Sequence, residues 1–254
     1  MISVIIVGTG NVAQNLFQAF EKSPSINIKQ VIGRNEQHLH FAKNTVPINT
    51  DFNEIPTADV YILAVSDDAI ALVAKNFKNK KGLVVHTSGA NSINVLHRNK
   101  RVGVFYPLQT FTKGKTISFQ DIPICIEATN EIDVDLLKKV AHTLSNTVSE
   151  ITSEQRKTIH IAAVFVNNFT NYMYTIGAEI CAENDIDFKL LQPLIKETAA
   201  KLDDLTPNQA QTGPAKRGDQ KTLHNHLQFI KDKHQRELYT LLSNAIKEKH
   251  GKKL

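Results

Sequence analysis

The stretch VIIVGTGNVAQNLFQAF, residues 4–20, constrains the fold more than any other part of the chain. An apolar run stops at Gly8, and beyond it apolar positions recur at helical spacing through Leu16, Phe17 and Phe20. Gly8, Gly10 and Ala13 stand in a G-x-G-x-x-G/A pattern at that strand-to-helix step. Gly8 permits a tight turn, Gly10 lets backbone approach a pyrophosphate, and Ala13 lets the helix pack closely on the strand. The helix start then offers free N–H groups and a partial positive charge to phosphates. A tight βα turn without a ligand is the plain alternative, but strand, loop and helix agree on a dinucleotide cradle. Cofactor contacts are therefore expected from Gly8, Thr9, Gly10, Asn11 and Val12.

From residue 1 to about 150, short apolar runs alternate with helix-like segments, the pattern of a parallel sheet with crossover helices. The strands are expected at ISVIIV, NIKQVI, DVYILAV, GLVVHT, RVGVFY and IPICIE, and the helices at NVAQNLFQAFEK, DDAIALVAKNF and VDLLKKVAHTLSN. This reads as a doubly wound, Rossmann-type α/β domain over residues 1–151. An all-α domain follows over 152–254, and 254 residues suffice for both cores.

The second strand decides between dinucleotides. An NAD site commonly ends that strand in an acid that binds the ribose 2′-hydroxyl. Here VIGRN has no acid and places Arg34 just past Gly33. A guanidinium pairs with a 2′-phosphate, which makes NADP the better reading and NAD the lesser one; a solvated Arg in a loop is the bland alternative. Two further strand ends face a cofactor in this topology: AVSDDAI, with Ser66 as a contact, and VVHTSGA, with His86, Thr87, Ser88 and Gly89. Asp67 and Asp68 read as caps of the next helix. His86 and Ser88 are candidate catalytic residues, with a core histidine bonded to backbone as the competitor for His86.

Composition narrows the class. The 30 Lys and Arg exceed the 25 Asp and Glu by a net +5, part of which lies in the terminal KEKHGKKL, read as a solvated tail. No basic patch interleaved with aromatics appears, so nucleic acid is not an expected partner. Cys125 and Cys181 each sit in an apolar run, which fits buried free thiols in a reducing compartment. The first apolar run has no basic leader and is too short for a membrane span, so a cytoplasmic protein is expected. No metal site is assigned.

In the second half a helix opens at Thr152 with Gln155 as a capping-box partner and can run to about residue 184, roughly 45 Å. Its middle is apolar on nearly every face, so a second subunit is expected to cover one side. Further helices are expected at 187–203, 219–231 and 233–249. His160 and Asn168, eight apart, drift by only about 80 degrees on a regular helix and can share one broad face. The polar stretch TGPAKRGDQKTLHNHL, residues 212–227, has little to pack and is expected to serve a ligand or a neighbouring subunit. Arg217 offers a fork to a substrate carboxylate or phosphate, while Asp219 reads at least as well as a helix N-cap. His86, His160 and Tyr106 are the proton-carrying types near neutral pH, with His160 reading equally as a satisfied core histidine.

The motifs VGTGNVA, AVSDDAI, HTSGA, YPLQTF, RKTIHIAAVFVNNF and TGPAKRGDQKTLHNHL together resemble a Rossmann-like domain joined to the domain of unknown function 2520, found in bacterial proteins assigned as oxidoreductases. The wider group looks like pyrroline-carboxylate reductases, ketopantoate reductase and the β-hydroxyacid dehydrogenases. The resemblance implies an N-terminal NADP domain and a helical domain that forms a homodimer and contacts a small-molecule substrate. Two departures stand out. The β-hydroxyacid dehydrogenases place a catalytic Lys four residues before an Asn on the long helix, and here that position, four before Asn168, is Val164. The group's common His-Pro is here Tyr106-Pro107.

Overall fold

The computed structural model describes residues 1–250. It holds eight strands in one sheet: β1 (Ile2–Val7), β2 (Ile26–Ile32), β3 (Ile48–Asn49), β4 (Val60–Leu63), β5 (Leu83–His86), β6 (Val102–Pro107), β7 (Ile124–Ala128) and β8 (Val148–Glu150). The strand order is β3-β2-β1-β4-β5-β6-β7-β8, whose first six strands follow the doubly wound dinucleotide-binding order. The order reverses at β1, which pairs in parallel with both β2 and β4. The chain turns are therefore opened to a ligand at the carboxyl ends of these central strands.

Both faces of the sheet are covered, so β1 is apolar at successive positions rather than alternating. Val4 and Ile6 pack on one side with Leu16, Phe17 and Phe20 of α1 (Asn11–Glu21). Ile5 and Val7 pack on the other with Ile70 and Ala74 of α2 (Ile70–Ala74) and with Phe77. A third helix, α3 (Glu131–His142), adds Leu137 and Val140 to the first side. Two strands, β3 and β8, lie beyond the six expected. One pairing is also not parallel, since β7 runs antiparallel to β6. The connection from 108 to 123 contains no helix, and a parallel neighbour needs a crossover that such a connection does not make.

The chain divides into a compact unit Met1–Phe165 and a second that begins at Val166. The helix expected from 152 to about 184 is three segments: α4 (Ser153–Ala163), a π-helical turn Val164–Phe169, and α5 (Thr170–Ala182). Its start is as expected, with the Thr152 hydroxyl accepting from the Gln155 N–H and the Gln155 side chain accepting from the Thr152 N–H. The π turn VFVNNF combines two valines with two asparagines, all weak helix formers. Beyond it lie α6 (Gln192–Ala200), α7 (Pro207–Ala210), α8 (Pro214–Arg217), α9 (Gln220–Phe229) and α10 (Lys233–His250). The last four residues of KEKHGKKL lie outside the described residues. Cys125 and Cys181 are buried free thiols.

Candidate active site

The glycine loop is built by two glycines that are needed for different reasons. Gly8 has φ +129°, and a Cβ there would stand 2.0 Å from the Ala64 carbonyl oxygen. Its N–H donates to the Ile32 carbonyl at 2.8 Å, which fastens the turn across β1 and β2. Gly10 is the N-cap of α1, in extended backbone and with no side chain capping the helix. A Cβ on Gly10 would meet nothing within 4 Å among the described residues. The protein's own backbone thus closes on Gly8, while the space in front of Gly10 and the first N–H groups of α1 stays open. That opening fits the approach of a dinucleotide pyrophosphate.

The residues beside them are partly committed to the fold. The Thr9 methyl packs where a Cβ of Gly33 would be, at 2.5 Å. The Asn11 amide donates to the Phe111 carbonyl at 2.8 Å, which ties the connection after β6 to the glycine loop. Val12 packs against the core of the first face, and its backbone N–H lies in the first turn of α1, where a helix supplies no acceptor. Arg34 is exposed at the exit of β2. The acid nearest in sequence, Glu36, pairs with Lys43 at 3.0 Å. Ser66 occupies the N-cap of the turn Asp67–Ala69 without a capping bond from its hydroxyl, so neither Asp67 nor Asp68 is the cap residue.

At the ends of β5 and β6 a second cluster forms. His86 is fully buried, and its Nδ1 accepts from the Ser88 N–H at 3.1 Å. Burial, followed by the nearby Arg156 guanidinium, lowers its pKa to about 4, against a weaker opposing effect of the Ser92 backbone. The Ser88 hydroxyl accepts from the N–H groups of Ala90 and Asn91, at 3.2 and 3.0 Å, and from the Asn91 amide. These bonds commit Ser88 to shaping the HTSGA loop.

That loop is clamped by Arg156 on α4, a residue to which the sequence reading gave no role. Its side chain is 1% exposed and forms an ion pair with Glu127 on β7. It also donates to the Ser88 carbonyl at 3.2 Å and to the Asn91 carbonyl. Ser153 completes the clamp, its hydroxyl donating to Glu127 and accepting from the Ile93 N–H at 3.0 Å. One turn later on α4, His160 is half-buried, and its Nδ1 lies 3.3 Å from the Tyr106 hydroxyl. Both rings rest on Gly89, where a Cβ would stand 2.6 Å from the His160 Nδ1 and 2.9 Å from the Tyr106 Cζ. The structure therefore brings His86, Ser88, Tyr106 and His160 together at the strand ends.

The other two candidates belong to the helical unit. Asn168 is exposed within the π turn. That turn also separates it from His160, so the regular helical step that would align the pair does not run between them. In the polar stretch 212–227, Gly213 at φ +107° and Gly218 at φ +71° bracket the single turn α8. Asp219 is the N-cap of α9, accepting from the Thr222 N–H at 3.0 Å and from its hydroxyl at 2.7 Å. Those bonds hold its carboxyl below the usual carboxylate range. Lys216 donates to the Gln211 carbonyl, and His226 bonds Tyr239 at 2.8 Å. Most of the polar groups are thus absorbed locally, while Arg217 at the end of α8 is exposed and its guanidinium has no hydrogen bond among the described residues.

A family model described as a domain of unknown function, DUF2520, matches residues 122–246. A solved protein of Bacteroides fragilis, described as a "putative NADP oxidoreductase", is 40% identical, with 97% of this chain and 98% of that chain covered and a TM-score of 0.90. Two more distant structures share the fold. An imine reductase of Myxococcus stipitatus in complex with NADP+ is 15% identical over 98% of this chain and 96% of its own, with a TM-score of 0.67. A pyrroline-5-carboxylate reductase of Coxiella burnetii is 18% identical over 98% of both chains, with a TM-score of 0.60. No curated protein matches the sequence. Among the described residues no helix is long and apolar enough to cross a membrane.

Proposed function

The chain belongs to the family of Rossmann-domain proteins that carry DUF2520, and from that premise we propose that it is an NADP-dependent oxidoreductase. Its substrate in this reading is a small carbonyl or imine compound bearing an anionic group. The observation that carries the reading is the open approach at Gly10, set at the N-terminus of α1 where the strand order reverses. The names of the Bacteroides and Myxococcus relatives agree with it. Gly8 shapes the turn, Gly10, Asn11 and Val12 offer backbone to the pyrophosphate, and Arg34 takes the 2′-phosphate in the absence of an acid at the end of β2. The reduced nicotinamide, when bound, supplies a hydride. Arg217 takes the substrate's anionic group, and Asn168 contributes a polar contact.

The working form is a homodimer built through the helical unit. Leu190, Leu194 and Leu202 are each more than half exposed, more apolar surface than a lone helical unit ordinarily presents to water. A second reading, a non-catalytic NADP-binding dimer, is favoured by one feature, Val164 in the position where the β-hydroxyacid dehydrogenases carry their Lys. Turnover separates the two readings. Screening small oxo acids and cyclic imines for NADPH oxidation yields a substrate under the first and none under the second. Arg217→Ala then raises KM without changing the sedimentation of the protein; a change in oligomer with unaltered KM assigns Arg217 to the subunit contact instead.

A further inference from the structure

We propose that Tyr106 and His160 form the proton-delivering pair of this site, with the Tyr106 Oη as the donor and the His160 Nδ1 as the reservoir behind it. The inference rests on the oxidoreductase reading above and names the groups that complete its chemistry. Three independent features of the geometry carry it. The phenol and imidazole are within one hydrogen bond, 3.3 Å, with the rings edge to face at 6.3 Å. Gly89 lets both rings close on bare backbone, since any side chain there would collide with each of them. The Gly89 loop is itself pinned by the buried Arg156 and by Ser88, so the surface under the two rings is rigid.

The neighbourhood also removes the competing donor. His86 has its Nδ1 occupied by the Ser88 N–H, is fully buried and is held neutral down to about pH 4. Its remaining proton sits on a buried Nε2 that has no partner among the described residues, and no imidazolium is there to donate near neutrality. Burial, followed by Cys125, pushes the Tyr106 phenol up, so it keeps its proton until a stronger base takes it. Asp67 acts on Tyr106 in the same direction, which puts the phenol within electrostatic reach of the end of β4, in the row of strand ends that faces the cofactor. His160 is half-buried, so its ring can exchange protons with water.

The reaction balances as follows. The C=X bond of the substrate, with X oxygen or nitrogen, opens as its carbon accepts the hydride and X accepts the Tyr106 proton. Tyr106 Oη recovers a proton from the Nδ1–H of the His160 imidazolium, which becomes neutral and is recharged from solvent. The substrate is reduced and the nicotinamide oxidised. The phenol begins and ends protonated.

The test is ring-15N NMR of histidine-labelled protein, with His160→Gln to identify the His160 signals. In the neutral ring the Tyr106 hydroxyl donates to Nδ1, so His160 is expected as the Nε2–H tautomer. Tyr106→Phe should move the His160 Nδ1 resonance and leave that of His86 in place. Saturating NADPH, its binding followed by its own fluorescence, should move the His160 signals again. An Nδ1 resonance unmoved by Tyr106→Phe overturns the pair. If NADPH binds while His160 stays unmoved, the pair is remote from the cofactor, so the proposal falls and the cofactor reading stands. If NADPH does not bind, the cofactor reading fails and the proposal fails with it.

Discussion

In β1, Val4, Ile5, Ile6 and Val7 are fully buried at four consecutive positions, whereas in the helical unit Leu190, Leu194 and Leu241 are each more than 60% exposed. The sheet is covered on both faces by its own helices, so the first unit closes its core without help. Among the described residues of the second unit, the buried hydrophobic side chains are Cys181, Ala215 and Leu223, and each keeps 5–8% of its surface exposed. In the proposed homodimer the second subunit covers that apolar surface. The contrast supports a division of labour in which one unit is a finished binding domain and the other an assembly element.

The largest expected effect tests the finished side of that comparison. Arg156→Ala leaves the Glu127 carboxylate without its guanidinium and frees the 88–91 loop; loss of one partner of a buried ion pair costs about 3–5 kcal/mol. Thermal or denaturant unfolding should show that loss, and an unchanged melting temperature would mean that the clamp is not structural. Next come the two glycines. Gly8→Ala forces a side chain into a left-handed backbone and against the Ala64 carbonyl, at a cost of about 3 kcal/mol. Gly10→Ala meets open space and should alter stability by less than about 1 kcal/mol while weakening NADPH binding. Equal behaviour of the two variants would erase the distinction between a glycine for the fold and a glycine for the ligand.

Acid should also act on the first unit. Folded His86 stays neutral down to about pH 4, whereas in the unfolded chain it takes up a proton near pH 6.5. Its contribution is therefore intact above pH 6.5, and up to about 3 kcal/mol of stability is lost as pH falls to 4. His86→Asn should flatten the stability profile across that window, most clearly in its upper part, between about pH 5.5 and 6.5, above the range in which ordinary carboxylates titrate. The assembly side is tested by sedimentation. Leu190→Asp with Leu241→Asp should weaken the dimer by about tenfold or more, whereas Leu72→Asp on α2, a position 65% exposed in the first unit, should leave the mass unchanged. A monomeric wild type would remove the assembly role altogether.

How much of this could be read from the chain follows from the reach of each interaction. The β1 turn and α1 were legible because strand, glycines and helix are adjacent in sequence and each residue type has a local reason. The Thr152 cap and the Asp219 cap were legible for the same reason, since each bond spans three residues. Arg156 was not, because its partners Glu127, Asn91 and Ser88 lie 29, 65 and 68 residues away. The Tyr106–His160 contact spans 54 residues and depends on a glycine that carries no side-chain signal. β3 has two residues, too few for any periodicity. The π turn differs from an α-helix by one extra residue in a turn, a change that leaves composition and apolar spacing nearly intact.

The central claim is that the loop at Gly8 and Gly10 is a working NADP cradle, and direct titration with reduced cofactor tests it. The chain contains no Trp, so the fluorescence of NADPH and of NADH can be followed on the wild type and on Arg34→Ala. The account predicts tight NADPH binding, weak NADH binding, and an Arg34→Ala variant that loses about tenfold in affinity for NADPH with little change for NADH. Wild-type protein that binds neither cofactor would contradict it and leave the glycine loop as architecture alone.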